Sequence, residues 1–171
     1  MKRAKLHPSI FILFSALIVA FCFAGRSIGA ATGRPDDRKY TGTDSVSDDI
    51  GKIEEQIKEA FITGDSALLL NCYTQDACVL APNAPTFCGL RGVSQFYKGT
   101  RKAGIRDAVF HSIGLFGQTP EYVTQQASFE VFDAAQHSLN KGKVLIIFKR
   151  TAEGWKIFRQ MLNFDSAMVP N

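Results

Sequence analysis

Tryptophan and histidine are both scarce in this chain of 171 residues. One tryptophan stands against fourteen phenylalanines, and the three histidines are scattered at positions 7, 111 and 137. No Cys-x-x-Cys pair occurs among the four cysteines. Without clustered His or Cys at ligand spacing, no metal site and no redox motif of the common kinds is expected, and no cofactor is expected. Aspartate and glutamate are missing from the first 31 residues, which do carry Lys2, Arg3, Lys5 and Arg26. The formal net charge of +4 therefore resides in that stretch: without it, 20 − 4 = 16 basic residues face 16 acidic ones. A balanced remainder with no basic stripe argues against a phosphate-backbone partner, so no nucleic acid is expected. Internal repeats and low-complexity tracts are lacking as well.

What is there begins with an export signal. "MKRAKLH" is a charged leader, "IFILFSALIVAFCF" (10–23) is an apolar core, and "CFAG" and "SIGAA" offer small residues to a peptidase. That layout predicts a secretory signal peptide over 1–31, with the mature chain beginning between Gly25 and Thr32. The apolar run falls short of the roughly 20 residues a spanning helix needs, although an uncleaved signal anchor is the rival reading. Phe21 before Cys22 does not suit a lipoprotein signal, and the ending "AMVPN" is no retention signal. The expectation is a secreted protein, extracellular or periplasmic, with no membrane attachment after cleavage.

Residues 32–44, "TGRPDDRKYTGTD", are polar and short of aliphatics, and read as a flexible linker to a domain over 45–168. Hydrophobic residues make up 46% of the chain, enough for a core. Ile50, Ile53, Ile57 and Phe61 recur at helical spacing, with Ser47 as cap, Asp48 and Asp49 at the positive end, and Gly64 as stop. Asp65 can cap a second helix ending near Tyr73, after which Thr74–Asp76 break it and Ala77–Ala81 extend. "CVLAPNAPTFC" reads as a hairpin about a Pro/Asn turn. Val93, Phe96 and Tyr97 mark a third helical face, closed by Gly104.

The rest alternates as four strands: "RDAVFHSIGLFG", "EYVTQQASFEVFD", "GKVLIIFKR" and "WKIFRQMLNF". The predicted class is α+β: three N-terminal helices packed on one face of an antiparallel sheet. The last two of these strands read as apolar on both faces, with Val144, Ile146 and Phe148 on one and Leu145 and Ile147 on the other. Two apolar faces need two covers. The helices supply one, and a second copy of the chain is expected over the other, making a homodimer.

Cys22 leaves with the signal, so Cys72, Cys78 and Cys88 remain, and at most one intrachain pair forms. Cys78 and Cys88 are equidistant from Asn83 at the turn, and in that register they lie opposite one another on one face. A Cys78–Cys88 disulfide is expected, with Cys72 buried as a small apolar residue. Cys72–Cys78 is the competing pair, and three free thiols the remaining alternative.

"IEEQIKEAFITGDSALLLNCYTQDACVLAP", "LRGVSQFY" and "GKVLIIFKRTAEGWKIFRQMLNFD" together resemble the SnoaL-like branch of the nuclear transport factor 2-like superfamily. The likeness runs from about Asp48 to Asp165. It rests on the Gly-Asp between two helices, the helix ending in Tyr73, the Asp-Ala entering a strand, Gly92 before the third helix, and the Trp-Lys-Ile strand. The resemblance implies a cystatin-like cone, a curved sheet around helices with a pocket at one end and Tyr73 facing inward. The family includes isomerases, cyclases, dehydratases, epoxide hydrolases and pure assembly modules such as the association domain of calcium/calmodulin-dependent kinase II. Ketosteroid-isomerase-like members place a carboxylate base where this chain has Ala81, and an oxyanion-stabilising tyrosine where it has Ile57. The aspartate–arginine–aspartate set of the epoxide hydrolases has no evident counterpart, and Leu162 stands where related domains carry a tryptophan before Asn163.

Four residues are candidates to touch a ligand. Tyr73 either fills core with its hydroxyl on backbone or reaches the pocket. His111, on the face of Val109, Ile113 and Leu115, is either a satisfied core residue or, if it lines the pocket, the candidate general base. Gln126 shares a face with Glu130. Gln160 shares one with Phe158 and Leu162 and could be a polar fixture in an apolar cavity, or face water at the strand edge. His137 falls in a loop. No nucleophile–base pair emerges. The expectation is a secreted cone domain binding a small apolar molecule. The alternatives are a small-molecule isomerase or hydrolase using His111, and an oligomeric assembly module.

Overall fold

The computed structural model describes residues 43–166. The expected signal peptide, nearly all of the linker, and residues 167 and 168 of the expected domain lie outside the described residues. Nine elements follow in order: α1 (Thr43–Thr63), α2 (Ser66–Asn71), β1 (Tyr73–Leu80), β2 (Phe87–Cys88), α3 (Gly89–Lys102), β3 (Asp107–Phe116), β4 (Tyr122–Phe132), β5 (Ser138–Thr151) and β6 (Gly154–Phe164).

Local chemistry explains most of the breaks. Gly64 ends α1 at φ +81°, a conformation side chains with a Cβ resist. The Asp65 carboxylate then accepts from the backbone N–H of Ala67 (2.8 Å) and Leu68 (3.0 Å), opening α2. The expected Ser47 cap is displaced: α1 begins one turn earlier, at Thr43, so Ser47 lies within the helix. The second helix also stops sooner than its apolar run suggests. It ends at Asn71, and Thr74–Asp76 are strand rather than break, because Tyr73–Leu80 finds a partner along β6.

The six strands form one sheet in the order β2-β1-β6-β5-β4-β3. β3 to β6 are the expected antiparallel meander. The sheet as a whole is mixed, not antiparallel, because β1 runs parallel to β6. The short hairpin strand β2 occupies one edge of β1. The meander closes against the other edge, and its successive reversals leave β6 pointing the same way as β1.

Helices cover one face. Ile50, Ile53, Ile57 and Phe61 of α1 and Val93 and Tyr97 of α3 are buried against Val79, Val123, Ala127, Val144, Ile146, Phe148 and Ile157 of the sheet. Gly142 permits the tight packing there: a Cβ would sit 2.5 Å from the Phe129 ring and 2.3 Å from the Asn163 carbonyl oxygen. Phe129 lies over that gap with Phe110 and Phe164 beside it. Cys78 and Cys88 are opposed in the β1–β2 hairpin and joined by a disulfide, with Asn83 at positive φ in the turn. Cys72 is free and buried.

The register shifts in four of the ladders, and two of these bulges bear on the candidate residues. In β3 the register shifts between Ser112 and Gly114, and in β6 between Ile157 and Arg159. A bulge adds one residue to one strand, so every side chain beyond it changes parity. Among the described residues, no helix is long and apolar enough to cross a membrane.

Candidate functional site

Between the helices and the inner face of the sheet lies an apolar cavity. α1 lends it Ile57 and Phe61, α2 lends Leu69, and α3 lends Phe96, Tyr97 and Thr100. The sheet contributes Tyr73, Ala108, Phe110, Phe129, Val131, Gln160, Leu162 and Phe164, and Ile105 closes the ring. No charged side chain lines it. Phe96, Thr100, Phe110 and Phe164 are only partly buried and mark the mouth, whereas Tyr73, Gln160 and Leu162 are buried within. The enclosed space is about 50 Å³, and about 560 Å³ when the open mouth and the crevices between atoms are included. Ligand sites for drug-sized molecules run to roughly 300–1,000 Å³. An occupant of that size therefore has to extend through the mouth or displace its rings.

Tyr73 opens β1 beside β6 and points inward. Its hydroxyl donates to Gln160 Oε1 at 2.6 Å, joining residues 87 apart in the chain. Burial, with a smaller contribution from neighbouring Cys72, holds the phenol well above the usual tyrosine range, so it stays neutral. The other polar groups of the lining are turned toward backbone. Tyr97 Oη donates to the Ala60 carbonyl at 2.5 Å and Thr100 Oγ1 to the Tyr97 carbonyl at 2.7 Å. Ile57 lines the cavity where the ketosteroid-isomerase-like pattern would have a tyrosine, and Ala81 offers no carboxylate after β1.

Of the four candidates, the structure brings Tyr73 and Gln160 together and sends His111 and Gln126 elsewhere. His111 is exposed on the outer face of the sheet, opposite Ser128. The face read for it was wrong beyond the bulge. Val109 stays on its side, but Leu115 crosses to the inner face, opposite buried Gln125. Gln126 is also exposed on the outer face, along a groove with Lys143, Leu145, Met161 and Asn163. Gln160 keeps its company with Leu162. Phe158, at the β6 bulge, turns outward against Tyr122, with the Arg159 guanidinium 3.7 Å from its ring centre. Glu130 is held below the ordinary carboxylate range by a hydrogen bond from Ser138 and by Lys141 (3.3 Å). His137 sits in the β4–β5 loop, 3.1 Å from Asp133. His111 is thus not among the side chains that line the cavity.

Gln125 is the residue the sequence reading passed over. It is 1% exposed, and its Nε2 donates to Glu54 Oε1 at 2.9 Å while its own Oε1 has no partner. A signal existed: Val123, Ala127, Phe129 and Val131 share its parity along β4, which places Gln125 rather than Gln126 on the core side. Burial raises the Glu54 carboxyl above its ordinary value, partly offset by the Gln125 bond. Among the described residues, no group of three or more His, Cys, Asp or Glu side chains is placed to hold a metal ion.

Compared with family models and with curated proteins, the sequence has no match. Solved structures do resemble it. A ketosteroid isomerase-like protein from Erwinia carotovora atroseptica aligns with a TM-score of 0.61 at 15% identity, covering 73% of this chain and 99% of that one. A domain of unknown function with a cystatin-like fold from Nostoc punctiforme aligns at 0.62 and 11% identity, over 74% and 81% of the two chains. An NTF-2-like protein of unknown function from Shewanella oneidensis aligns at 0.58 and 15%, over 68% and 97%. At these identities the likeness speaks for architecture alone. With its helices on one side of a bulged six-stranded sheet, this chain has the cystatin-like α+β fold shared by ketosteroid isomerase-like and NTF2-like proteins.

Proposed function

We propose that this protein is an exported, non-catalytic binder of a small, largely apolar molecule, held in the cavity between helices and sheet. The observation that carries the reading is the lining: an uncharged, phenylalanine-rich wall around one buried Tyr73–Gln160 pair. Such a lining favours apolar matter and offers a single place to orient it. The Cys78–Cys88 disulfide supports export, because such bonds persist in oxidising compartments. Two exposed apolar residues on the outer sheet face, Leu145 and Met161, support a homodimer through that face.

The test is a nuclear magnetic resonance titration of the purified protein with toluene. Shifts centred on Ala108, Val131 and Leu162 are expected, and Ala108→Leu, which fills the cavity, should abolish them. Shifts scattered over the surface, or none at millimolar toluene, would sink the reading. The assembly-module alternative draws on one observation, the small enclosed volume of about 50 Å³, and a toluene-silent protein that still dimerises would favour it.

A further inference from the structure

We propose that the Cys78–Cys88 disulfide is a redox-modification site, reduced by dithiols in the folded protein, and that its reduction frees the start of α3 and opens one wall of the cavity. The second half of this rests on the reading of the cavity as a ligand site.

The bond sits where its loss is local. Its partners are only 10 residues apart and opposed in a hairpin, so it closes a short loop and ties no distant parts of the chain together. β1 has a second ladder, to β6, through Cys78, Val79 and Leu80, which does not depend on the bond. β2 has no such support: it is two residues long and pairs with β1 only at Phe87 and Cys88. α3 follows it directly and is seated on it. A Cβ on Gly92 would lie 2.7 Å from the Phe87 carbonyl carbon, and the Phe87 and Phe96 rings pack with centres 5.7 Å apart. The far half of α3 is moored separately to α1, where Tyr97 Oη and the Arg101 guanidinium donate to the Ala60 and Phe61 carbonyls. Phe96, at the mouth of the cavity, stands between the two attachments, so loosening the first frees its ring.

Cys88 is the accessible half of the bond. It is exposed, whereas Cys78 is 9% exposed. It occupies the N-cap of 14-residue α3 and makes no side-chain capping bond, so the free N–H groups of the first turn can stabilise a thiolate there. The thiolate of a dithiol attacks Cys88 Sγ, forming a mixed disulfide and expelling Cys78 as a thiolate, which takes up a proton. The second thiol of the reagent then attacks the reagent's own sulfur in that mixed disulfide. It closes to a cyclic disulfide and releases Cys88 as a thiolate. Two electrons pass from the dithiol to the cysteines; of its two protons, one goes to Cys78 and the other to solvent. Cys72, buried and free, takes no part.

The folded protein is treated with millimolar dithiothreitol, alkylated with iodoacetamide and mapped by mass spectrometry, with hydrogen exchange followed on the same samples. Labelling of Cys78 and Cys88 but not Cys72 is expected, with Cys88 roughly tenfold faster than Cys78. Amide exchange should rise roughly tenfold over 87–96 and stay unchanged in β3 to β6. Cys78→Ser with Cys88→Ser should show the raised exchange without dithiothreitol and no response to it. A bond that yields only in denaturant, or whose reduction raises exchange throughout the sheet or nowhere, would overturn the redox site and make the disulfide a structural staple. In nuclear magnetic resonance, toluene should enter and leave the reduced protein roughly tenfold faster than the oxidised one. Unchanged toluene kinetics beside a local rise in exchange would overturn the opening of the cavity. Toluene binding to neither form would overturn the cavity reading and leave the redox site standing.

Discussion

Tyr73 and Gln160 form a buried polar pair in an otherwise apolar wall, and such pairs are asymmetric in their energetics. Removing one partner strands the other, whereas removing both need not. Tyr73→Phe is therefore expected to destabilise the fold by about 1–3 kcal/mol in urea unfolding. Combined with Gln160→Leu, the loss should be smaller than the sum of the two single losses, and strict additivity would show that the bond contributes nothing. Glu54 and Gln125 make a different kind of pair. The folded-state pKa of Glu54 lies above the ordinary glutamate value, with burial as the main cause and Glu55 adding to it, against the Gln125 bond and His111. The folded state thus holds that proton more tightly than the unfolded chain. The stabilisation is fully present below the ordinary glutamate pKa of about 4.3 and is lost as pH rises through the raised value. A protonated Glu54 can also donate to the unpartnered Gln125 Oε1, and so can the amide of Glu54→Gln. In urea midpoints across that pH range, Glu54→Gln should gain on the unmodified protein as pH rises. A constant difference would show that Glu54 titrates normally.

Among the elements, the β1–β2 hairpin shows how much turn chemistry alone can place. Asn83 takes positive φ in the turn, and residues equidistant from it meet. A two-residue edge strand has few ladder bonds of its own, so the Cys78–Cys88 bond holds it in register. Replacing both cysteines by serine is expected to destabilise the protein by about 2–4 kcal/mol. Non-reducing peptide mapping should give a linked peptide joining Cys78 to Cys88, with Cys72 unlinked. Cys72 is well placed to stay reduced: burial pushes its thiol pKa up to about 11, leaving little thiolate at neutral pH. A linked peptide containing Cys72 would overturn this. The bulges in β3 and β6 act in the opposite sense to the hairpin turn. They displace Leu115 and Phe158 from the faces that strict alternation assigns.

For the whole molecule, the outer face of the sheet is where assembly is expected. Leu145 is 48% exposed and Met161 54%, and they stand opposite one another across β5 and β6. Ile113 and Phe116 of β3 are exposed farther along. Lysines 141, 143 and 149 are set among them, so the face is amphipathic rather than continuous grease. Sedimentation at micromolar concentration is expected to show a dimer, and Leu145→Lys with Met161→Lys to shift it to monomer without loss of helical signal. A monomeric unmodified protein would end the proposal. A dimer indifferent to both lysines would place the interface elsewhere.

The sequence by itself determined that three helices precede four long strands, where the first helix stops and the second opens, the hairpin, and the neutrality of the chain beyond residue 31. These follow from short-range physics: apolar spacing, the Asp65 cap, the Gly64 stop, the Asn83 turn and simple charge counting. It also determined that Tyr73 and Gln160 are polar groups among apolar neighbours. Tertiary structure decided that the two meet, since a hydrogen bond across 87 residues depends on β1 lying beside β6. It decided as well that this pairing is parallel, because strand direction within a sheet is a property of the whole path. The fates of His111 and Gln126 were decided there too. Period-two alternation holds only between bulges, and which of Gln125 and Gln126 turns inward depends on which face of β4 the helices cover.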